Sequence, residues 1–422
     1  MSADNTLKYS RILPYDIVKI HLAKYNAATR EINKLTEPYK AKSPEPIPCP
    51  EYDPFNDDNR IKAYFFEGAE YNGSPARIFA YIGFPENAAA DKPVPGMLLI
   101  HGGAGHAYAE WVQKWVDRGY AAVSFDGFGQ SPEKGEYKYD VLWDTDPNSH
   151  PTIDEFASYE KPITEQWYWY YLTDAILAGN ILRNDKRVRS DMIGATGISW
   201  GGYLLTTLLG YDDRFAFAVP VYGCGYQQYG SGIFTRFTRN IYDKWEPSLL
   251  LPNVKTDILF VNSDSDIFFS ANTTSHSAAY AINGKALFIH EKHHSQDAGS
   301  DIEEVFRFAD EHSGLGEGNI KISDIGTSEE GMSVKFDLPA DAYDTVAKAY
   351  YHSIDIKYDT TEPFTIKESW KCISGEISDS CTIVGIPKKA CIFYISVEAQ
   401  TAAGTISATT SLFRRVYGDH DR

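Results

Sequence analysis

MIGATGISWGGYLLTTLLG, residues 192–210, sets a short apolar run against an amphipathic one. The join is Gly197-Ile198-Ser199-Trp200-Gly201, a G-x-S-x-G pentapeptide. The first run predicts a buried strand and the second, Trp200–Gly210, predicts a helix. A sharp strand-to-helix turn of this kind lifts the serine hydroxyl above a sheet, and the small residues let the two backbones approach closely. The helix N-terminus beneath it favours developing negative charge. The pentapeptide alone occurs by chance in Gly-rich turns, and its two flanks are what make Ser199 the candidate nucleophile.

Outward from this join the same grammar repeats. GMLLIHGG (96–103) precedes a helix near Tyr108–Arg118, and AAVSFDGFG (121–129) precedes a long loop. QWYWYYLTDAILAGNILRN (166–184) reads as a helix, and FAFAVPVYG (215–223), DILFVNSD (257–264) and KALFIHEK (285–292) read as strands. Helices are expected near Asn272–Ile282 and over 301–312. Continuous apolar strands alternating with helices predict a mostly parallel sheet covered on both faces. Ahead of it, IKAYFFEG (61–68) and ARIFAYIGF (76–84) are joined through Asn72-Gly73, a strong hairpin signal.

Two flanking regions differ in style. Residues 1–60 begin with a helix expected at about Tyr15–Leu35, with Pro38 beyond it, and continue in a Pro-, Asp- and Asn-rich loop from about Ala41 to Asn59. After the linker Ser313–Gly318, residues 319–417 contain short strands separated by turn signals. That style predicts a β-sandwich of immunoglobulin or fibronectin type. The expected organisation is therefore an N-terminal segment (1–60) packed on an α/β domain (61–313), followed by a β-sandwich (319–417). A chain of 422 residues fits more than one core.

A net charge of −18 argues against nucleic acid and anionic membrane surfaces as partners. A neutral or sugar substrate is compatible with it, as is a homo-oligomer. No run approaches a membrane span, and no apolar segment follows the basic residues of the N-terminus. Five scattered cysteines without a CxxC pair suggest neither a zinc knuckle nor a disulfide framework. A cytoplasmic location is expected, although a chain that had lost its leader would read the same way.

The chemistry expected of a serine nucleophile needs three further parts. His101-Gly102-Gly103-Ala104-Gly105, after GMLLI, is a Gly-rich turn placed to supply an oxyanion-binding N–H, from Gly103 or Ala104. The N–H of Trp200 would supply the other. The acid should follow the next strands, where Asp264 and Asp266 both stand in DILFVNSDSDIFF, and the base should follow the strand after that. There IHEKHHSQ (289–296) holds His290, His293 and His294. His290 falls at the strand end and reads as structural, whereas His293 and His294 lie beyond it. The helical HExxH zinc pattern is absent, so the cluster is not read as a metal site, and no cofactor is expected.

These pieces together resemble the acetyl-xylan-esterase-like branch of the α/β-hydrolases, related to the prolyl-oligopeptidase superfamily. The resemblance covers about residues 60–312. It rests on VPGMLLIHGGAGHAYAEWVQKWVDRGYAAVSFDGFGQ, TGISWGGYLLTTLLGYDDRFAFAVPVYGCGY, DILFVNSDSD and HSQDAGSDIEEVFRFAD. It implies an α/β-hydrolase fold and a Ser199–His294–Asp266 triad. It also implies serine-esterase activity on short-chain, acetyl esters of a small molecule or an oligosaccharide. Ser263 stands where the family's acid loop usually has Gly, His293 replaces the Pro before the base, and Gln296 replaces a second His. His106, Tyr222 and Cys224 are candidate pocket residues, although Cys224 also reads as a small buried residue.

The aromatic run Trp167–Tyr171 suggests a sugar platform, but consecutive positions point all round a helix, so most are expected in the core. Asp212-Asp213-Arg214 is expected to pin a helix-to-strand turn by an ion pair. Two rival functions use the same residues differently. A peptidase of the prolyl-oligopeptidase type would share the triad, but such enzymes usually carry a large β-propeller, for which the roughly 95 residues before GMLLI are too few. A binding protein would not need the triad at all.

Overall fold

The structure is a computed structural model that describes residues 8–11, 22–55, 58–133, 143–230, 233–238, 241–327, 331–352, 370–388 and 390–416. Its centre is a sheet of eight main strands: β1 (Ile61–Tyr71), β2 (Ser74–Gly83), β3 (Val94–Ile100), β4 (Ala121–Phe125), β5 (Val188–Ile198), β6 (Phe217–Val221), β7 (Asp257–Ser263) and β8 (Gly284–Ile289). Their spatial order is β8-β7-β6-β5-β3-β4-β2-β1, with the short strand Ile47–Pro48 on the β1 edge. From β4 to β8 the pairings are parallel, and β1 and β2 are antiparallel additions. The hairpin joining β1 to β2 turns at Asn72 (φ 51°) and Gly73 (φ 82°), the left-handed pair that a two-residue loop requires.

Strand alternation divides the core between the two faces of this sheet. Leu98, Ile100, Val123, Ala195 and Phe260 face one side, packed with the helices α1 (Leu22–Lys40), α3 (Trp167–Asn184) and α4 (Trp200–Leu208). Met97, Leu99, Ala122, Val219 and Val261 face the other, against α2 (Ala109–Asp117) and a final helix at Glu303–Ser313. All five rings of Trp167–Tyr171 are buried, none more than 2% exposed. The reason is that α3 is sandwiched between the sheet and α1: Tyr39 meets Trp169 edge-on at 5.9 Å, and the Asn180 amide donates to the carbonyls of Tyr39 and Lys42 at 2.8 Å each. A helix apolar on every side is a helix covered on every side.

The N-terminal helix differs from expectation. It runs through Pro38 to Lys40, and the residues expected to begin it, 15–21, lie outside the described ones. Proline removes one hydrogen bond near a helix end. Asn180 and Arg214, which donates to the Lys40 carbonyl at 2.8 Å, satisfy the last carbonyls from neighbouring elements instead. Arg214 also pairs with Asp212 at 2.6 Å, as its turn predicts.

Beyond the Gly314 cap (φ 72°), two antiparallel sheets enclose a separate core of Met332, Val334, Ala349, Val384, Phe393 and Ile395. One sheet contains Tyr343–His352, Lys371–Ser374, Ile392–Thr401, Gly404–Thr409 and Phe413–Val416; the other contains Lys321–Thr327, Met332–Asp337, Glu376–Ser378 and Cys381–Val384. Residues 353–369 of the region expected to hold short strands lie outside the described residues. One strand comes from an unexpected place: Lys8–Arg11 pairs antiparallel with Phe413–Val416, so the first described residues belong to this sheet and not to the α/β domain. The sandwich covers the β8 side of the large sheet, where Phe288 N–H donates to Thr409 Oγ1 at 3.0 Å and Ser407 donates to Glu304 at 2.8 Å. An otherwise open parallel edge is thereby covered. Among the described residues, no helix is long and apolar enough to cross a membrane.

Candidate active site

Ser199 sits where β5 gives way to α4, with φ 57° and ψ −116°, outside the regions that ordinary residues adopt. The surrounding glycines make this turn possible. A Cβ on Gly197 would lie 2.3 Å from the Gly201 carbonyl oxygen, and one on Gly201 would lie 2.1 Å from that of Ile100. Hydrogen bonds fix the turn on both sides: Ser199 N–H donates to Val221 O at 2.9 Å, and Tyr203 N–H donates to Ser199 O at 3.0 Å.

The side chain meets an imidazole across the sheet top. His294 Nε2 lies 2.9 Å from Ser199 Oγ, and His294 Nδ1 lies 2.8 Å from Asp266 Oδ2. In the tautomer this arrangement favours, Nδ1–H donates to the carboxylate and Nε2 accepts from the serine. The other oxygen of Asp266 accepts the N–H groups of Phe268 (2.7 Å) and Phe269 (3.1 Å). The Asp266 side chain is fully buried and that of His294 is 14% exposed. Tyr222 and Phe268 flank the imidazole, with ring centroids 4.9 and 4.6 Å away.

The structure separates the two aspartates. Asp264 is turned away from His294 and accepts from His290 Nδ1 at 2.7 Å, so His290 is engaged in a different pair from the candidate base. His293 is exposed beside it.

The turn after β3 lies directly against Ser199. A Cβ on Gly102 would sit 3.1 Å from Ser199 Cβ, and one on Gly103 would sit 2.5 Å from the Trp200 ring. His101 braces this turn: its Nδ1 lies 2.9 Å from Gly102 O, while Nε2 accepts from Gly127 N–H at 3.1 Å. Burial pushes its pKa down to about 3, which keeps it neutral in these roles. The Tyr171 hydroxyl donates to the His101 carbonyl. Ala104 is held at φ 55°, and Trp200 opens α4, where backbone N–H groups have no intrahelical acceptor.

Each of the three candidate pocket residues is buried among protein groups, which for Cys224 is the small buried residue its sequence also suggests. His106 is 2% exposed and stacks on Trp143 at 4.1 Å. Tyr222 is fully buried beneath His294. Cys224 is fully buried with Sγ 3.3 Å from Thr273 Oγ1, and burial pushes its thiol up to about 12. Beside His294 stand Tyr222 and two further aromatic residues that no motif announced, Phe268 and Phe269. Trp200 packs against Phe234 at 4.4 Å and against Phe156 and Trp167 at 5.4 Å each. The one sequence signal of Phe268 and Phe269 is position: they follow Asp266 by two and three residues.

A serine, an imidazole and a carboxylate linked in series above a sheet of this strand order define a serine hydrolase of the α/β-hydrolase fold. At the level of sequence, the prolyl oligopeptidase family matches residues 157–271, from just before α3 through the acid loop. No curated protein sequence matches the chain. Among solved structures, an acetyl xylan esterase from Paenibacillus sp. R4 is similar at 18% identity and a TM-score of 0.49, over 71% of this chain and 96% of that one. Acetyl xylan esterase 1 from Thermoanaerobacterium sp. JW/SL YS485 is similar at 14% identity and a TM-score of 0.45, over 67% and 88%. The acylaminoacyl peptidase of Pyrococcus horikoshii is similar at 18% identity and a TM-score of 0.42, over 58% and 40%.

Proposed function

We propose that the protein is a serine esterase that removes short acyl groups, acetyl above all, from an esterified carbohydrate. The observation that carries the reading is the unbroken series Ser199–His294–Asp266, at 2.9 and 2.8 Å. His294 Nε2 takes the Ser199 proton as Oγ attacks the ester carbonyl. Asp266 holds the imidazolium in place through Nδ1, and the N–H groups of Trp200 and of Gly103 or Ala104 receive the negative charge on the carbonyl oxygen. Collapse of the tetrahedral intermediate expels the alcohol, protonated by His294, and leaves an acyl-Ser199 ester. Water activated by His294 then repeats the sequence and releases the acid. These steps use protein groups and water alone.

The acetyl preference rests on the motif resemblance. A peptidase reading has one observation of its own, the prolyl oligopeptidase match over the nucleophile and acid segments. The two are separated by comparing kcat/KM for 4-nitrophenyl acetate and acetylated xylo-oligosaccharides with that for dipeptide 4-nitroanilides. Faster turnover of the anilides would replace the esterase reading. Ser199→Ala should abolish turnover, and wild-type activity in that variant would remove the nucleophile assignment altogether. His294→Ala should lose nearly as much, and a larger loss in His293→Ala would move the base by one residue.

A further inference from the structure

We propose that the C-terminal sandwich positions the catalytic acid and base, and that Asp264 is the joint through which it does so. This inference rests on the triad reading above and adds three positioning residues to it: Asp264, His290 and Tyr394.

Asp264 stands two residues before Asp266, and its side chain is fully buried. Donors from two directions converge on it. From the base-bearing loop, His290 Nδ1 lies 2.7 Å from Oδ2 and the Glu291 N–H donates to Oδ1 at 3.0 Å. From the sandwich, the Tyr394 hydroxyl donates to the same Oδ2 at 2.8 Å, and Trp370 Nε1–H donates to the Asp264 carbonyl at 2.9 Å. One residue of the acid loop is thus tied to the loop that carries His294 and to the neighbouring domain.

The surroundings make the joint stiff. Tyr350 of the sandwich packs its ring on His290 at 4.4 Å and stacks on Tyr394 at 5.2 Å. Trp370, Tyr394, Ile392 and Leu412 form one apolar cluster with Phe288 of β8 and Ala271 of the α/β domain. Glu291 follows His290 in a left-handed conformation (φ 51°), so the chain reverses there before it reaches His294. A buried carboxylate with a donor removed carries a large desolvation cost, which the loop would relieve by shifting. A shift at Asp264 reaches Asp266 through a single intervening residue, and a shift at His290 reaches His294 through three. Misplacement of a triad member by about 1 Å can cost on the order of a hundredfold in rate.

The test uses the full-length protein with 4-nitrophenyl acetate, well below the thermal midpoint of each variant. Tyr394→Phe and His290→Ala should each lower kcat by about tenfold or more, with KM within about twofold of wild type. Reaction of Ser199 with a fluorophosphonate should slow in parallel. His290→Asn, whose amide N–H can stand in for Nδ1–H, should recover most of the loss. Unchanged kcat with a lowered thermal midpoint would show the joint to be cement between domains and overturn the proposal. A raised KM at constant kcat would overturn it too, by placing the joint's influence on substrate binding. Tyr394→Phe removes one hydroxyl and keeps the ring packing, so it carries the test alone if His290→Ala does not fold. Failure of the triad reading is visible separately: there Ser199→Ala keeps its turnover, whereas failure of this proposal leaves Ser199→Ala inactive and Tyr394→Phe fully active.

Discussion

Asp126 offers a prediction whose size can be worked from its surroundings. It follows β4 directly, and it is 1% exposed. Oδ1 accepts the N–H groups of Gln130 (2.8 Å) and Phe128 (3.0 Å), while Oδ2 is buried without a hydrogen-bond partner among the described residues. Burial outweighs the two backbone bonds and raises the carboxyl from an ordinary value of 3.8 to about 7. The folded state therefore keeps a proton that the unfolded chain releases near pH 4. With more protons bound in the folded state, stability falls as pH rises between about 4 and 7 and is level beyond either limit. A shift of roughly three units corresponds to about 4 kcal/mol across that window. Asp126→Asn keeps the acceptor toward Gln130 and Phe128 and cannot ionise, so it should lack this contribution. Burial also raises the carboxyls of Glu246 and Asp174, so the quantity to measure is the difference between the two proteins. Urea unfolding from pH 4 to 8 can be followed by tryptophan fluorescence, which reports chiefly the α/β domain because Trp370 is the one tryptophan beyond it. The stability of Asp126→Asn relative to wild type should rise by about 4 kcal/mol from the acid to the alkaline end. Parallel curves for the two proteins would refute the reasoning.

The two neighbouring carboxylates should behave differently. Asp266→Asn should lower kcat on the order of a thousandfold or more, because an amide cannot hold His294 in the required tautomer, and Asp264→Asn should cost far less. Steady-state kinetics on 4-nitrophenyl acetate decides this, and a larger loss for Asp264→Asn would reverse the roles. Gly201→Ala should destabilise by about 3 kcal/mol or more, since its Cβ would meet backbone oxygens of Ile100 and His101 at 2.1 and 2.4 Å. A thermal midpoint equal to wild type would show that the strand–helix approach is looser than described.

Much of this protein is written locally. MIGATGISWGGYLLTTLLG contains within nineteen residues the strand, the strained turn and the helix that present Ser199, because glycine spacing and hydrophobic period act over short distances. Asn72-Gly73 fixes the first hairpin in the same way, and the run of alternating strands and helices prescribes a covered, mostly parallel sheet. What the sequence left open depends on packing between distant segments. Asp264 and Asp266 lie on one short loop with the same local signals. Which one meets His294, 28 residues beyond Asp266, follows from how β7 and β8 pair and from the Phe268 and Phe269 amides that turn Asp266 toward the base. His106 and Tyr222 read as candidate pocket residues in sequence, and the fold buries both. The pairing of Lys8–Arg11 with Phe413–Val416 joins the two ends of the chain, and no local pattern encodes a partner some four hundred residues away. Short-range preferences select the elements and the turn that bears Ser199. The long-range burial of side chains decides which acid, which histidine and which edge each of them finds.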